Sequence, residues 1–560
     1  MPGRARGVRL RIGVLLDALA LEAWTWTTLQ RLIASSYADI ALVILCEPSA
    51  ATPIPPRARG ASGVRDRLRA LLNAAYAWWE ARYPCIPDAC ERRDGRALLD
   101  QIPLLSAHVI GRGEMRTLAA PDVSAVREAD LDVLLDLSRG GVGGEIAGAA
   151  RHGVWGLEHG DESRGFGTPP GFWEVFFGVP VSASSVYAAE PGSAQRRLLC
   201  QVYSATDFNS TRRNNNPRYW KAASLIPRKL EQLWRDGEQS VYLRSNQTPD
   251  AHAGPLRGHY GPPRDLQVAS LLARRFGRAL VNRATEILTL PQWILLLELS
   301  DQPASRPSQL RKILPPKDRF WADPHVIQRD GQYFVFFEEL VFATGKGHIS
   351  VLAVDGEGRC GSPVTVLERN YHLSYPSLCE HHGELYMIPE SGDNGTIELY
   401  RCVEFPTKWV FVENLMEDIA AYDATVLRWQ GRWWLFANVV ENRGASSWDE
   451  LFLFYSDTLV GGTWTPHRLN PIVSDVRRSR PAGAIIERDG ELYRPSQDCS
   501  VRYGYAINLN RITKLSVDEY EEIGVGSIAP DDDRRIVGVH TYARTGRLTV
   551  LDALQPRLRF

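Results

Sequence analysis

WADPHVIQRDGQYFVFFEE, residues 321–339, places Gly331 just before an aromatic run. The same arrangement recurs in YPSLCEHHGELYMIPES (375–391), YDATVLRWQGRWWLFAN (422–438), PAGAIIERDGELYRPSQ (481–497) and GVHTYARTGRLTVLD (538–552). The recurring glycines are Gly331, Gly383, Gly431, Gly490 and Gly546, at intervals of 52, 48, 59 and 56 residues. A supersecondary unit that repeats about every 50 residues predicts the blades of a β-propeller.

The limits of the propeller follow from counting blades. Five inner segments are present, but the chain after residue 299 holds sequence for only roughly four and a half blades. The apolar run Trp293–Leu299 (WILLLEL) precedes the first repeat. We expect this strand to complete the last blade, a closure that leaves no free sheet edge. The sequence therefore predicts a five-bladed β-propeller over residues 291–560.

The N-terminal half shows a different pattern, in which buried strands alternate with helices. Residues 9–16 (RLRIGVLL) form a continuous apolar run, typical of a strand buried on both faces. Residues 21–34 have apolar positions at helical spacing, and strands are expected at Ile40–Cys46 and Leu131–Leu137. This βαβ order predicts an α/β domain with a Rossmann-like parallel sheet over residues 1–240.

Two amphipathic helices are predicted later, at 217–235 and 265–290. The second contains Arg274, Arg275, Arg278 and Arg283. It is interpreted either as a membrane-surface helix or as the solvated face of an interdomain helix. The interdomain interpretation is favoured because Arg side chains commonly cover such faces. Residues 241–290 are accordingly assigned to a linker and an interdomain helix.

Composition and charge exclude some classes of function. A formal net charge of −1 gives no electrostatic basis for binding nucleic acid. No run of about 20 apolar residues predicts a transmembrane helix, and Asp17 and Glu22 interrupt the N-terminal apolar stretch, which argues against a signal peptide. The eight cysteines are scattered, and only Cys85 and Cys90 are close. We therefore expect reduced thiols, no metal site and a cytoplasmic location.

Aligning the five repeats on their glycines brings polar residues into register. Eight residues before the glycine stand Asp323, Tyr375, Asp423, Ala482 and Gly538; seven after it stand Glu338, Glu390, Asn438, Gln497 and Ala553, with Asp552 one earlier. The innermost strands of a propeller start at one mouth of its channel, so Asp323, Tyr375 and Asp423 are expected to converge there. Further candidates for binding a substrate at this mouth are Trp321, His325, His372, Tyr422, Arg480, Arg494, Gln497, Asp498 and His540.

Two interpretations fit these polar residues. Carboxylates beside aromatic side chains such as Trp321, Tyr375 and Tyr422 suit a polyhydroxylated ligand or a glycosidic bond, which predicts a carbohydrate-binding or carbohydrate-cleaving pocket. The alternative is a wet channel in which the polar groups satisfy one another and ordered water.

Several motifs in order carry a family resemblance for the C-terminal half. The segments FWADPHV, HLSYPSL, MIPESGDNGTIELYR, YDATV, GGTWTPH, RPSQD and VHTYAR resemble the N-terminal propeller domain of glucosamine inositolphosphorylceramide transferases. That propeller is similar to five-bladed glycoside hydrolases of the arabinanase and xylosidase kind. The resemblance implies that Asp323, in the Ala-Asp-Pro motif, is a general base. It implies Glu390 and Asp423 as the other catalytic carboxylates, where those hydrolases more usually have Asp and then Glu.

A second resemblance concerns residues 8–235, which resemble the N-terminal domain of folate-dependent formyltransferases. It centres on GVWGLEHGDESRGFGTPPGFWEVFFGVPVSASSVY (153–187). His159 fits the catalytic His of that family, and Arg164 fits its following loop. Leu157 occupies the catalytic Asn position, and no downstream catalytic Asp is recognisable. The resemblance implies N10-formyltetrahydrofolate as the formyl donor.

Other polar residues of this half are candidates for the same cleft. Asp161 or Glu158 is expected to orient His159, since formyl transfer needs a base for the attacking amine. Asn209 and Asn214 either line the cleft or cap the helix that begins at Pro217.

Three functions follow from these patterns. The sequence favours a formyltransferase-like enzyme that moves a formyl or related acyl group onto an amine of a sugar or glycan-linked substrate, with the propeller as the carbohydrate-binding domain. The alternative is a glycoside hydrolase or glycan transferase whose chemistry lies in the propeller. The third is a non-catalytic protein that recognises a glycan. All three imply a small-molecule or glycan substrate.

Overall fold

A computed structural model describes residues 7–48, 64–110, 116–138, 141–160, 164–190, 196–242, 260–302, 306–531 and 535–559. Contacts divide the chain into two units. The first comprises Met1–Val202, Thr206–Arg275 and Glu441–Ala445, and the second comprises Tyr203–Ala205, Phe276–Val440 and Ser446–Phe560. The domain bounds inferred from the sequence stay predictions.

The described part of the N-terminal half contains ten strands. They are β1 (Leu10–Leu16), β2 (Ala20–Glu22), β3 (Ala38–Pro48), β4 (Arg92–Asp94), β5 (Leu104–Ile110), β6 (Thr117–Leu118), β7 (Val133–Asp136), β8 (Val154–His159), β9 (Val181–Ala189) and β10 (Arg196–Ala205). Side chains of β1 alternate between two apolar clusters: Val14 and Leu16 enter one, and Leu15 enters the other. The sheet is therefore covered on both faces, as continuous apolar strands require.

Eight of these strands form one sheet, in the order β10-β9-β8-β7-β1-β3-β5-β6. Its centre is parallel, because β1 pairs with β3 and β7, β3 with β5, and β7 with β8. Strand β9 runs antiparallel to β8, and β6 antiparallel to β5. The sheet is thus mixed rather than parallel, and a formyltransferase-type fold is not confirmed. A buried strand gives the same apolar run in either direction, so the sequence did not reveal the antiparallel strands.

Helices accompany the sheet. They are α1 (Ala23–Ala34), α2 (Val64–Ala81), α3 (Arg96–Leu99), α4 (Ala120–Glu128), α5 (Phe172–Phe177), α6 (Thr211–Asp236), α7 (Glu238–Val241) and α8 (Asp265–Leu288), with short 3-10 turns at Gly144–Ala149, Pro307–Gln309 and Gly392–Asn394. Helix α6 begins before the predicted start at Pro217, because the side chain of Ser210 accepts the N–H of Arg213 as an N-cap.

The described part of the propeller contains twenty strands. They are β11 (Thr289–Leu299), β12 (Arg311–Ile313), β13 (Arg319–Arg329), β14 (Gln332–Val341), β15 (Lys346–Val354), β16 (Val364–Leu367), β17 (Ser374–His381), β18 (Glu384–Ser391), β19 (Thr396–Glu404), β20 (Lys408–Met416), β21 (Ala421–Trp429), β22 (Arg432–Val439), β23 (Leu451–Ser456), β24 (Thr465–Pro466), β25 (Ile486–Arg488), β26 (Glu491–Asp498), β27 (Ala506–Leu515), β28 (Tyr520–Ile528), β29 (Gly538–Thr545) and β30 (Leu548–Leu558).

These strands form five four-stranded blades: β13 to β16, β17 to β20, β21 to β24, β25 to β28, and a fifth in the order β12-β11-β30-β29. Strand β11 pairs antiparallel with β30 along its whole length, from Thr289 opposite Leu558 to Leu299 opposite Leu548. The strand before the first repeat therefore completes the last blade. The predicted five-bladed propeller and its closure are confirmed.

The repeat glycines lie in the turns between paired strands. In the first blade Arg329 pairs with Gln332 across Asp330 and Gly331, whose φ angles are 51° and 76°. Two consecutive positive φ angles define a type I′ turn, whose twist matches that of the flanking strands. Positive φ angles recur at His382–Gly383, Gln430–Gly431 and Asp489–Gly490. The recurring glycines that revealed the repeat are thus required by the hairpin turns and are not part of a functional site.

Candidate active site

A cavity of about 480 Å³ lies in the propeller, and every blade contributes to its wall. The lining residues are Trp293, Phe320, Ala322, Asp323, Glu338, Leu340, His372, Ser374, Glu390, Tyr422, Trp448, Arg480, Tyr503 and His540. Sequence reasoning had selected six of them: Asp323, His372, Glu390, Tyr422, Arg480 and His540. The alignment on glycines had also placed Glu338 in register with Glu390, but it was not chosen as a site residue.

Asp323, Tyr375 and Asp423 share an unusual backbone conformation in three successive blades. Their φ angles are 52°, 43° and 54°. At each of them the register of the strand pair shifts, which marks a β-bulge. A bulge takes a residue out of the ladder and re-aims its side chain. Positive φ at a non-glycine residue costs about 1–3 kcal/mol and persists only where the surrounding structure holds it.

The fifth blade has its bulge one residue nearer the turn. Its register shifts between Val539 and Tyr542, and Val539 pairs with Ala553 as Ala322 pairs with Glu338. His540 therefore stands in the register of Asp323, where the alignment on glycines had placed Gly538. His540 is thus two residues away from the aligned position. The bulge accounts for one of these residues. The turn accounts for the other, because Gly546 is the first of its two turn residues whereas Gly331 is the second of its own.

Asp323 is a buried carboxylate that faces a cation. Its Oδ1 accepts a hydrogen bond from Thr541 Oγ1 at 3.0 Å and lies 3.2 Å from His540 Nε2. Burial opposes the charge of Asp323, but His540 and Thr541 hold its pKa below the usual value. Burial also opposes the charge of His540, yet Asp552 and Asp323 raise its pKa to about 10. Oδ2 of Asp323 takes no hydrogen bond from the described residues, which leaves it for a ligand.

Two glutamates of the cavity have the opposite tendency. Burial, followed by the charge of Asp323, raises the pKa of Glu338 well above its usual value. Burial, followed by the charge of Asp423, raises that of Glu390 in the same way. Such shifts favour the protonated form of each acid, and at Glu390 the shift is opposed by Arg480, whose Nη2 lies 3.5 Å from Glu390 Oε2. Ser374 Oγ donates to Glu390 Oε2 at 3.2 Å.

His372 is fixed beside Glu338 in one tautomer. Its Nδ1 accepts the N–H of Gly347 at 3.0 Å, so the ring proton is on Nε2 when the ring is neutral. That Nε2 lies 3.3 Å from Glu338 Oε1. Burial lowers the pKa of His372, which favours this neutral form.

Asp423 lies behind the cavity wall rather than in it. It is 1% exposed, and Arg480 donates to both its oxygens, Nε to Oδ2 at 2.6 Å and Nη2 to Oδ1 at 3.0 Å. Gln497 Nε2 also donates to Oδ2, at 3.1 Å. Burial raises the pKa of Asp423 overall, and the charge of Arg480 opposes this shift. Three donors and a permanently charged guanidinium favour the carboxylate, so Asp423 acts here as the partner of Arg480.

Aromatic rings form the rest of the wall. Trp293 packs on His540 with ring centroids 4.0 Å apart, and Tyr503 meets His540 edge-on at 5.4 Å. Arg480 lies over the rings of Tyr422 and Tyr503, 5.5 and 5.1 Å from their centroids. Aromatic surface beside a few fixed polar groups is the composition of a small-molecule site.

Other propeller candidates lie in the surrounding structure rather than in the cavity wall. Trp321 Nε1 donates to Glu339, Arg494 pairs with Glu522 at 2.7 Å, and Asp498 accepts the N–H of Ser500. The Tyr375 hydroxyl contacts Thr425 Oγ1 at 2.8 Å and accepts the N–H of Gly483 at 2.7 Å, and His325 meets the Tyr375 ring edge-on. The Tyr375 contacts link the second blade to the first, to the third and to the segment before the fourth, whereas those of Trp321, Arg494 and Asp498 stay within one blade.

The N-terminal candidates centre on His159, at the end of β8. Its Nδ1 lies 3.0 Å from Ser184 Oγ, and its Nε2 has no hydrogen-bond partner among the described residues. Burial and the neighbouring Arg218 lower the pKa of His159 well below its usual value, so the ring is neutral. Leu157 precedes it in β8, in the position where the resemblance requires an Asn.

The remaining N-terminal candidates are less closely associated with His159. Asn214 accepts the N–H of Asp207 and donates to Ser182, while the carbonyl of Asn209 accepts from Trp79. Arg164 is partly buried in the loop after β8, and Asp161 lies outside the described residues. Formyl transfer, its folate donor and the cytoplasmic location stay predictions.

Asp323, His540 and Asp552 also have the composition of a metal site, with ligand atoms within 4.8 Å of one another. Both ring nitrogens of His540, however, already face carboxylate oxygens, at 3.2 and 2.8 Å. Two carboxylates this close favour an imidazolium through their charge, although Nδ1 makes no hydrogen bond among the described residues. Among the described helices, none is long and apolar enough to cross a membrane.

The comparisons with known proteins concern the propeller. Residues 312–551 match the family model described as "Glucosamine inositolphosphorylceramide transferase 1, N-terminal". The chain is 34% identical over 209 residues to glucosamine inositolphosphorylceramide transferase 1 of Oryza sativa subsp. japonica, an alignment that covers 37% of this chain and 28% of the relative. The Arabidopsis thaliana protein of the same name is also 34% identical over 209 residues, covering 37% of this chain and 27% of the relative. The chain thus spans under a third of these relatives.

Similar solved structures include glycoside hydrolases. A family 117 glycoside hydrolase of Zobellia galactanivorans is 11% identical, with a TM-score of 0.32 and coverage of 48% of this chain and 91% of that chain. An α-L-arabinofuranosidase of Podospora anserina is 10% identical, with a TM-score of 0.34 and coverage of 47% and 98%. Both TM-scores lie below 0.5, so the evidence for the five blades is the strand pairing of this chain.

Proposed function

We propose that the propeller cavity processes a glycosidic bond, moving a glycosyl group onto water or a sugar hydroxyl. Asp323 takes the proton of the attacking hydroxyl, and Glu390 gives a proton to the departing oxygen. The observation that supports this most directly is the divergence of pKa values in one cavity: lowered at Asp323 and raised well above the usual value at Glu390. Two carboxyl groups whose environments separate their pKa values are the usual acid and base of glycoside chemistry.

Glu390 suits the acid role better than Glu338 because of its place in the propeller. Glu338 pairs with Ala322, directly beside Asp323 in the same blade, and the charge of Asp323 is the second cause of its raised pKa. Glu390 belongs to the next blade and responds first to Asp423 after burial. An acid and a base that act on opposite sides of one bond need such separation.

Two further observations support a sugar substrate. Trp293, Tyr422, Trp448 and Tyr503 give the cavity apolar ring surfaces beside its carboxyl groups. The matched relatives are named as transferases of a sugar, glucosamine, which supports glycosyl transfer as the reaction class.

The test is a panel of 4-nitrophenyl α- and β-glycosides of pentoses, hexoses and hexosamines, assayed with and without a sugar acceptor. Turnover is expected with at least one glycoside, and Asp323→Asn is expected to remove it, while Asp330→Asn in the exposed turn of the same hairpin leaves it intact. Glu390→Gln is expected to lose much less activity on a 2,4-dinitrophenyl glycoside than on the 4-nitrophenyl one, because a better leaving group needs less proton donation. Sugar binding without turnover would instead indicate a glycan-recognition protein, and turnover that depends on His159 but not on Asp323 would place the chemistry in the N-terminal unit.

A further inference from the structure

Asp552 ties together the first and last blades directly behind Asp323. It is fully buried in β30. Its Oδ2 accepts the N–H of Asp323 at 2.8 Å, and its Oδ1 accepts those of His540 at 3.1 Å and Thr541 at 2.8 Å. These N–H groups belong to the bulges of β13 and β29, where the strand ladder is interrupted. The Asp552 carboxylate therefore accepts hydrogen bonds from backbone N–H groups of both bulges, which the interrupted strand ladders leave without partners.

His540 lies between two carboxylates. Its Nδ1 is 2.8 Å from Asp552 Oδ2, and its Nε2 is 3.2 Å from Asp323 Oδ1. Two negative carboxylates at these distances favour the charged imidazolium over the neutral ring, although Nδ1 makes no hydrogen bond among the described residues. The Trp293 ring covers one side of His540 at 4.0 Å, and Tyr503 meets it at 5.4 Å.

We infer that Asp552 and His540 are positioning residues for the base Asp323. Asp552 holds the backbones of Asp323 and His540 through its hydrogen bonds, and its charge lies beside the His540 ring. His540 then fixes Oδ1 of Asp323 and keeps the carboxyl ionised, so that Oδ2 is the oxygen left for the acceptor hydroxyl. The catalytic consequence rests on the proposed function, but the charge state of His540 can be measured without any substrate.

The titration of His540 depends on all the groups that face it. Asp323 from β13 and Asp552 from β30 favour its charge, and Asp552 is the larger influence after burial. Glu338 from β14 interacts with it as well, and it adds a negative charge only when it is ionised. Tyr503 is neutral, because burial raises its pKa well above the usual value. A cation bound by Asp323, His540 and Asp552 would displace a ring proton of His540, so metal binding and the imidazolium exclude each other.

The first experiment is NMR of the ¹⁵N-histidine-labelled full chain, with His540→Gln used to assign the signal. Both ring nitrogens of His540 are expected to stay protonated from pH 6 to pH 9. In Asp552→Asn the ring is expected to titrate nearer neutrality, whereas His467→Gln, which removes another buried ring, leaves the His540 signal unchanged. A wild-type His540 that loses its proton below pH 7 overturns the inference. So does a His540 signal that shifts or broadens on adding Ca²⁺ or Mn²⁺, which would identify a metal site.

The second experiment is the pH profile of kcat/KM on a glycoside that is turned over. Loss of the His540 charge raises the pKa of Asp323, so His540→Gln and Asp552→Asn are expected to move the acid limb to higher pH by about one unit or more. The His467→Gln profile is expected to match that of the wild type. An unchanged acid limb in a folded Asp552→Asn variant overturns the positioning role. If no glycoside is turned over, the proposed function fails, while the NMR result still decides the charge state.

Discussion

The propeller and the N-terminal unit each bury a histidine beside charged groups, and the two histidines are driven in opposite directions. His540 lies between Asp323 and Asp552, which raise its pKa to about 10. His159 lies near Arg218 with only Ser184 Oγ on its Nδ1, and burial and Arg218 lower its pKa well below the usual value. The same side chain is therefore a fixed cation in one region and a neutral ring in the other.

The difference shows what separates a set of polar residues from a candidate active site. In the propeller cavity, two of the shifted groups have a charged partner from another blade: Asp323 has His540, and Asp423 has Arg480. The shifts then follow from charges that the closed ring of blades holds together. Around His159 burial is the main influence, and no acid–base pair with separated pKa values accompanies it in the described residues.

The largest expected effect is on turnover. Asp323→Asn removes the proposed base and is expected to lower kcat by about 10²–10⁴-fold, the usual contribution of a general base. His159→Ala is expected to leave kcat within about twofold, because it touches no group of the propeller cavity. The measurement is initial rates on the best glycoside of the panel. A larger loss in His159→Ala than in Asp323→Asn would reverse the comparison between the two regions.

The next effect is on stability. Arg480→Met leaves the carboxylate of Asp423 buried without its cation, which is expected to cost about 3–5 kcal/mol. Adding Asp423→Asn removes the stranded charge and is expected to recover a large part of that loss. Thermal unfolding of the single and double variants measures both. If the double variant is no more stable than the single one, the pair does not act through charge.

The sequence determined the propeller better than the site. Gly331 and its counterparts revealed the blades because a type I′ turn imposes positive φ at fixed positions. The same alignment found Asp323 and Glu390, which keep a constant distance from the turn. It missed the role of His540 because the bulge of the fifth blade lies one residue nearer its turn. It also assigned Asp423 to catalysis. The spacing of residues along the sequence does not show that Arg480, from another blade, pairs with Asp423.

The two histidines predict opposite pH dependences of stability. His540 has a folded-state pKa raised from 6.5 to about 10, so its contribution is fully present below pH 6.5 and is lost as the pH rises through 10. His159 has a lowered folded-state pKa, so its contribution is present above pH 6.5 and is lost as the pH falls towards the lowered value. Thermal midpoints from pH 5 to pH 10 are expected to decline less on the alkaline side in His540→Gln and less on the acid side in His159→Gln. Identical profiles for the two variants would contradict the assigned shifts.

The smallest expected effect concerns two glycines with positive φ, one in a propeller turn and one in the N-terminal unit. Gly331 has a φ of 76°, and a Cβ added there meets no atom within 4 Å. Gly331→Ala therefore introduces backbone strain alone, with an expected cost of about 1 kcal/mol. Gly331→Asn is expected to cost less, because Asn adopts the left-handed region more readily. At Gly153 of the N-terminal unit φ is 72°, but a Cβ there would lie 2.1 Å from the carbonyl oxygen of Ala189, so Gly153→Asn has no such advantage over Gly153→Ala. Thermal unfolding of the four variants measures these costs. If Asn is less destabilising than Ala at Gly331 but not at Gly153, backbone conformation alone selects the repeat glycine. Equal losses of stability from Ala and Asn at Gly331 would show that something other than its φ is required there.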